Sequence, residues 1–243
     1  MKNSLITAMI VSLLLCGIAF SQNRPILRSG TRLSQFSPDT SPKINPNAIS
    51  ITRLQYSGGG DWYWGNSALP NLLKFIQDET GWPVDTEEKQ VKIKDEDLFA
   101  HPFLFITGHG TIKLSDSEGE RLRQYLLGGG FVFLNDSYGM DKSIRLMITK
   151  LFPEQNLQEI PYDHAVYHSF YDFPNGLPKI HEHDNKPATG WGIVIDDRLV
   201  LFYAYESDIG DGWEDSQVHN DPAEKRIEAL KMGLNIVTYA LTN

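Results

Sequence analysis

The chain has 243 residues, 41% hydrophobic and 11% aromatic, with 22 Lys and Arg against 31 Asp and Glu for a formal charge of −9. That apolar content excludes a disordered chain, the scattered Gly and Pro exclude a fibrous one, and the length suffices for a domain with a real core. The acidic balance, with no long block of Lys or Arg, argues against a protein that wraps nucleic acid or adheres to anionic lipid.

Met1 to Ser21 reads as a secretory signal: Lys2 at the start, an apolar run through Ile10, Val11, Leu13, Leu14 and Leu15, then Ala19-Phe20-Ser21 with small residues where a signal peptidase inspects the chain. Cleavage between Ser21 and Gln22 would remove Lys2 and Cys16, leaving 21 Lys and Arg against 31 Asp and Glu, a charge of −10 with no cysteine. Thiol catalysis and disulfides are then both excluded. The alternative is a lipoprotein anchored at Cys16, for which Leu15 is a poor preceding residue. No later apolar stretch approaches the ~20 residues of a membrane span, so the expectation is an exported, periplasmic or extracytoplasmic protein with no transmembrane segment in its mature form.

Residues 22–48 are rich in Ser, Asn, Thr and Pro and read as a lead-in or linker, with a single α/β domain over 49–243. There, apolar strands, Gly- or Asp-rich turns and helices at helical spacing alternate, the pattern of a parallel sheet between helices. Ile49 to Tyr56 is the first strand, followed by Ser57-Gly58-Gly59-Gly60-Asp61 and a helix carrying Leu69, Leu72, Leu73 and Ile76. Val84 to Ile93 reads as a charged edge strand, and Pro102 to Thr107 as the most buried strand, running into Gly108-His109-Gly110. Ser115 and Glu118 form a capping box for the helix bearing Leu122 and Leu126, which Gly128-Gly129-Gly130 stops. Phe131 to Leu134 is the next strand, ending in Asn135-Asp136-Ser137-Tyr138-Gly139, and Ile144, Met147, Ile148 and Leu151 mark a helix closed before Pro153. Gly192–Ile195 and Leu199–Tyr203 flank Asp196-Asp197-Arg198 as an antiparallel hairpin appended to the sheet. In the last helix Asp221 is the expected cap, Pro222 the first helical residue, and Ile227, Leu230, Leu234, Val237 and Leu241 the apolar stripe.

Ligands of open parallel sheets bind beyond the carboxyl ends of the strands, so the chemistry is sought there. His109, between two glycines after a buried strand, is the first candidate, with backbone hydrogen bonding as its structural alternative. The Gly58–Gly60 turn lacks a following Lys-Ser or Lys-Thr and so is no P-loop; it reads as backbone geometry, with Gly59, Gly60, Asp61 and Trp62 as the alternative ligand contacts. His164 and His168 share a face if helical, and His181 and His183 share one if extended, but neither pair has the Glu of a helical His-Glu-x-x-His site. No metal set is assigned; His164 and His168 stand as the candidates, and no cofactor is expected. Ser137 and Ser57 lie outside any Gly-x-Ser-x-Gly elbow. Asp208, Asp211, Glu214 and Asp215 around Gly210, Gly212 and Trp213 do not match a helix-loop-helix calcium loop and read as a solvated acidic loop.

The stretch Ile51 to Trp62, the strand ending Thr107-Gly108-His109-Gly110, and Gly128 to Asp136 resemble the bacterial domain of unknown function family 4159, over about Ile49 to Thr242. The resemblance implies a flavodoxin-like, class I glutamine amidotransferase-like three-layer α/β sandwich. It also implies an extracytoplasmic interaction role, because such members resemble envelope-cluster components found with AAA-type ATPases and von Willebrand A domains. In amidotransferases the elbow five residues past the Gly-Gly-Gly turn holds a nucleophilic Cys, or a His in trehalose-utilisation-like relatives; here that position is Asn135. An amide cannot replace a thiolate nucleophile, so thiol amidotransfer is excluded. The leading expectation is therefore a non-catalytic domain binding an envelope protein or glycan through Asp61, Trp62, His109, Asn135 and Asp136, with Gly59, Gly60, Ser137 and Tyr138 alongside. The alternative is a hydrolase of carbohydrate or amide bonds using His109 and Asp136, with metal assistance from His164 or His168.

Overall fold

The computed structural model describes residues 48–243. The signal, its Ser21–Gln22 cleavage site, Cys16 and nearly all of the lead-in lie outside the described residues. Seven strands form one sheet: β1 (Thr52–Gln55), β2 (Lys89–Lys92), β3 (Phe103–Ile106), β4 (Phe131–Asn135), β5 (Gln158–Glu159), β6 (Thr189–Ile195) and β7 (Arg198–Tyr205). Their spatial order is β2-β1-β3-β4-β7-β6-β5. The first five in that order run parallel, and β6 and β5 are added antiparallel. The hairpin foreseen in the sequence is present, but β7 belongs to the parallel sheet, pairing with β4 from Val132↔Leu201 to Asn135↔Ala204. Its two-residue turn is Asp196-Asp197, both at positive φ, as the twist of a tight hairpin requires.

The central strands are buried on both faces because their side chains alternate between two cores. Phe103, Phe105, Phe131, Phe133 and Phe202 face one layer, made by α1 (Ala68–Thr80) and α6 (Ala223–Thr242). Leu104, Ile106, Val132, Leu134 and Leu201 face the other, made by α2 (Asp116–Leu127) and α3 (Asp141–Leu151). The result is a three-layer α/β fold. Each such side chain, fully withdrawn from water, contributes about 1.5–3 kcal/mol.

Among the described α-helices only α2 starts on a side-chain cap. Ser115 and Glu118 make the reciprocal capping box of α2. Helix α6 begins instead at Ala223 with Pro222 as its cap residue and no side-chain cap; Asp221 turns away to His181. Of the stripe on α6, Leu230, Leu234 and Val237 are buried whereas Ile227 and Leu241 are exposed, since the sheet covers only the middle of the helix. Among the described residues no helix is long and apolar enough to cross a membrane.

Candidate functional site at the strand ends

The parallel strand order reverses direction between β1 and β3, and loops from the carboxyl ends of those two strands part there. Asp61 from the first loop and His109 from the second meet at that point. Asp61 Oδ1 accepts the backbone N–H of His109, and its Oδ2 lies 3.1 Å from His109 Nδ1. Nε2 of His109 makes no hydrogen bond among the described residues, and the ring is partly exposed. Trp64 meets the ring edge-on at 4.8 Å. Trp62, the candidate ligand contact beside Asp61, is half-buried and packs against the core on the α2–α3 side.

The glycines make this approach possible. At Gly108, φ is +135° and a Cβ would come within 2.6 Å of the Tyr56 hydroxyl and 2.8 Å of Asp61 Oδ1. At Gly60 a Cβ would lie 2.8 Å from the His109 carbonyl, and the Gly60 N–H is donated to Thr111 O. The run therefore works as backbone geometry, with Gly59 exposed at its tip. Behind it sits Arg53, wholly buried, a residue that sequence reasoning passed over. All five of its N–H groups are used: on Glu88 and on the carbonyls of Trp62, Trp64 and Gly65. A lone Arg inside an apolar strand was the signal for it.

At the carboxyl end of β4, Asn135 is fully buried and faces inward. Its Nδ2 donates to the hydroxyls of Thr107 and Ser137, and its Oδ1 accepts Gly210 N–H at 3.0 Å. It ties the loops of β3, β4 and β7 together, and Ser137 is consumed in the same network. Asp136 does not pair with His109. It accepts from Met140 N and the Tyr203 hydroxyl, and burial raises its pKa above the ordinary 3.8. Tyr138 is exposed, stacks on His183 at 4.9 Å, and donates to Asp184. A cleft of about 310 Å³ opens here, walled by Asp136, Tyr138, Lys142, His183, Lys186 and Glu206 among others.

The loop after β7 departs most from expectation. Asp208, Asp211 and Glu214 are buried, and only Asp215 is solvated. Ile209 and Trp213, both buried, pull the segment inward as the single helical turn α4 (Ile209–Gly212), and that pair within an acidic stretch was the available sequence signal. The carboxylates meet three histidines there. His181 Nδ1 lies 2.9 Å from Asp208 Oδ2 and its Nε2 3.1 Å from Asp221. His183 Nε2 lies 3.1 Å from the same oxygen of Asp208, and His219, closing the one-turn α5 (Ser216–His219), is 2.7 Å from Glu214 and 3.4 Å from Asp211. Trp64 Nε1 donates to Asp211, joining this cluster to the Asp61–His109 pair.

The hydrogen bond to Asp208 holds the His181 pKa up at about 9. Burial works against the charge of Asp208, yet the bonds from His181 and His183 keep its pKa below the ordinary value. Burial, reinforced by the charge of Asp208, pushes Asp211 up to about 8. Among the described residues, the convergent metal-capable sets are His181–His183–Asp208 and His181–Asp211–His219. His164 and His168 lie elsewhere: His164 Nδ1 accepts Val166 N–H and its ring packs on Tyr239, whose hydroxyl receives Leu199 N–H at the amino end of β7, while His168 binds Tyr162 O and Asp172.

Fold and site together define a mainly parallel three-layer α/β domain with a titratable, His- and carboxylate-rich surface at its strand ends. The chain belongs to the domain of unknown function family DUF4159, whose family model matches residues 50–241. No curated protein matches it.

Proposed function

We propose that this is an exported envelope domain that binds a polar ligand, an envelope glycan, across the carboxyl ends of β3, β4 and β7. The observation that carries this reading is the 310 Å³ cleft beside Tyr138, where an exposed aromatic face adjoins cationic and anionic side chains able to hold hydroxyl groups. The signal-like run from Met1 to Ser21 supports export. Soluble peptidoglycan fragments, which contain both glycosidic and amide bonds, are the probe. Calorimetric binding weakened about three- to tenfold by Tyr138→Ala is the expected outcome. Absence of binding, or binding untouched by Tyr138→Ala and Lys142→Ala together, overturns it.

A second reading, hydrolysis of the bound glycan or its amide, is favoured by the Asp61–His109 pair. A carboxylate on Nδ1 orients an imidazole so that Nε2 can take a proton from water, and with no usable Ser and no Cys in the described chain the nucleophile would be water. Mass spectrometry of the same incubations separates the readings. Cleavage lost in His109→Ala with binding retained establishes the enzyme, and intact fragments confine the protein to binding.

A further inference from the structure

The geometry points to a divalent transition-metal site of the zinc class held by His181 Nδ1, His183 Nε2 and Asp208 Oδ2, an inference that goes beyond ligand binding and does not rest on it. Ligand atoms ~2.0–2.2 Å from a tetrahedral ion stand roughly 3.3 Å from one another. Here Asp208 Oδ2 is 2.9 Å from His181 Nδ1 and 3.1 Å from His183 Nε2, and the three atoms lie within 4.8 Å of each other. Small displacements would seat an ion among them.

The surroundings are those of a supported metal site. A ligating His characteristically gives its other ring nitrogen to a carboxylate, which fixes ring and tautomer; Asp221 occupies that place on His181 Nε2. The second oxygen of Asp208 is approached by Asn135 Nδ2, and the His183 ring is steadied by Tyr138. Asp208 is 1% exposed. Asp208, Asp211, Glu214 and Asp221 gather around His181, His183 and His219.

Two imidazoles and one carboxylate suit zinc and its first-row neighbours rather than calcium or magnesium, which prefer all-oxygen shells. Three protein ligands are also the number that leaves a position for water or substrate, and His183 lines the cleft where either would enter.

The test uses the full chain purified without chelator. Elemental analysis after dialysis, Zn²⁺ titration by calorimetry, and Co²⁺ visible absorption as a geometry readout are compared with His183→Ala and Asp208→Asn. The expected result is about one metal per chain, a tetrahedral Co²⁺ band that Zn²⁺ abolishes, and affinity reduced by at least roughly tenfold in His183→Ala with an unchanged circular dichroism spectrum. His164→Ala is expected to bind as the parent does. No saturable Zn²⁺ or Co²⁺ binding by the folded parent, or undiminished binding by folded His183→Ala, overturns the site. Loss in His164→Ala places the metal elsewhere and overturns it as well. If Asp208→Asn fails to fold, the His183→Ala comparison and the parent's Co²⁺ spectrum decide alone. Metal retained by a His109→Ala chain that no longer cleaves fragments separates this site from the catalytic reading.

Discussion

Asp61 holds His109 at two points, taking its backbone N–H with one carboxylate oxygen and facing its ring Nδ1 with the other at 3.1 Å. The two residues are 48 apart in sequence, and their meeting closes the loops of β1 and β3 over the point where the sheet reverses. Asp61→Ala leaves a partly buried N–H without its acceptor and is expected to cost about 1–3 kcal/mol. Asp61→Asn keeps an oxygen for that N–H and is expected to lose less than about 1 kcal/mol while turning an N–H donor toward Nδ1, which moves the ring proton to Nε2. Urea unfolding measures the first difference, and NMR of the His109 ring nitrogens the second. Equal destabilisation by both variants would show that the backbone contact is not what Asp61 contributes.

Asn135 stands where the resemblance places a nucleophile, but it points into the protein. Asn135→Cys, in a Cys16→Ser background, is expected to yield a thiol that a disulfide reagent modifies only on unfolding, because position 135 is fully buried. The same change strips Gly210 N–H of its acceptor and is expected to cost about 1–3 kcal/mol by thermal or urea unfolding. Rapid labelling of the native protein would mean that the elbow opens outward after all.

Arg53 is the fixed post of the aromatic loop. Arg53→Lys substitutes one compact ammonium with three donors for a planar fork with five, so Glu88 and the carbonyls of Trp62, Trp64 and Gly65 cannot all keep a partner. Removal of one member of such a buried pair costs about 3–5 kcal/mol, and Arg53→Met is expected to fall in that range. Arg53→Lys is expected to recover only part of it. Denaturant midpoints for the two variants check the order.

Asp136 makes stability depend on pH. Its carboxyl pKa is raised in the folded protein by burial, so the folded state binds the proton more tightly than the unfolded chain. Its contribution is therefore fully present below the ordinary value of 3.8 and is lost as pH rises through the raised value. Asp136→Asn keeps an oxygen for Met140 N–H and removes the titration. Its stability relative to the parent is expected to improve as pH is raised from 4 to neutrality, followed by urea midpoints at several pH values. A constant offset would rule out titration of Asp136 as the cause.

The elements that could be read directly from the chain are those whose causes are local. The Ser115–Glu118 box, the apolar spacing of α1 and α3, the glycine stops and the Phe- and Leu-rich strands all depend on residues within a turn or two of each other. The strand ends could be named as candidates for the same reason: His109, Asp136 and Tyr138 follow buried strands, and Asp136 and Tyr138 line the cleft. Their partners could not be named. His109 is hydrogen-bonded to Asp61 and Asp136 to Met140 and Tyr203, and Asp221, which looks like a helix cap, binds His181 across 40 residues.

The sequence by itself determined the α/β alternation, a single cysteine at Cys16 and the acidic balance, because composition and short-range periodicity carry that information. Only the tertiary structure decided that the acidic loop after β7 is buried and that His181, His183 and His219 converge on it. Electrostatic attraction and desolvation depend on distance in space and on burial, and both are set by how β4 and β7 bring their far-separated loops together.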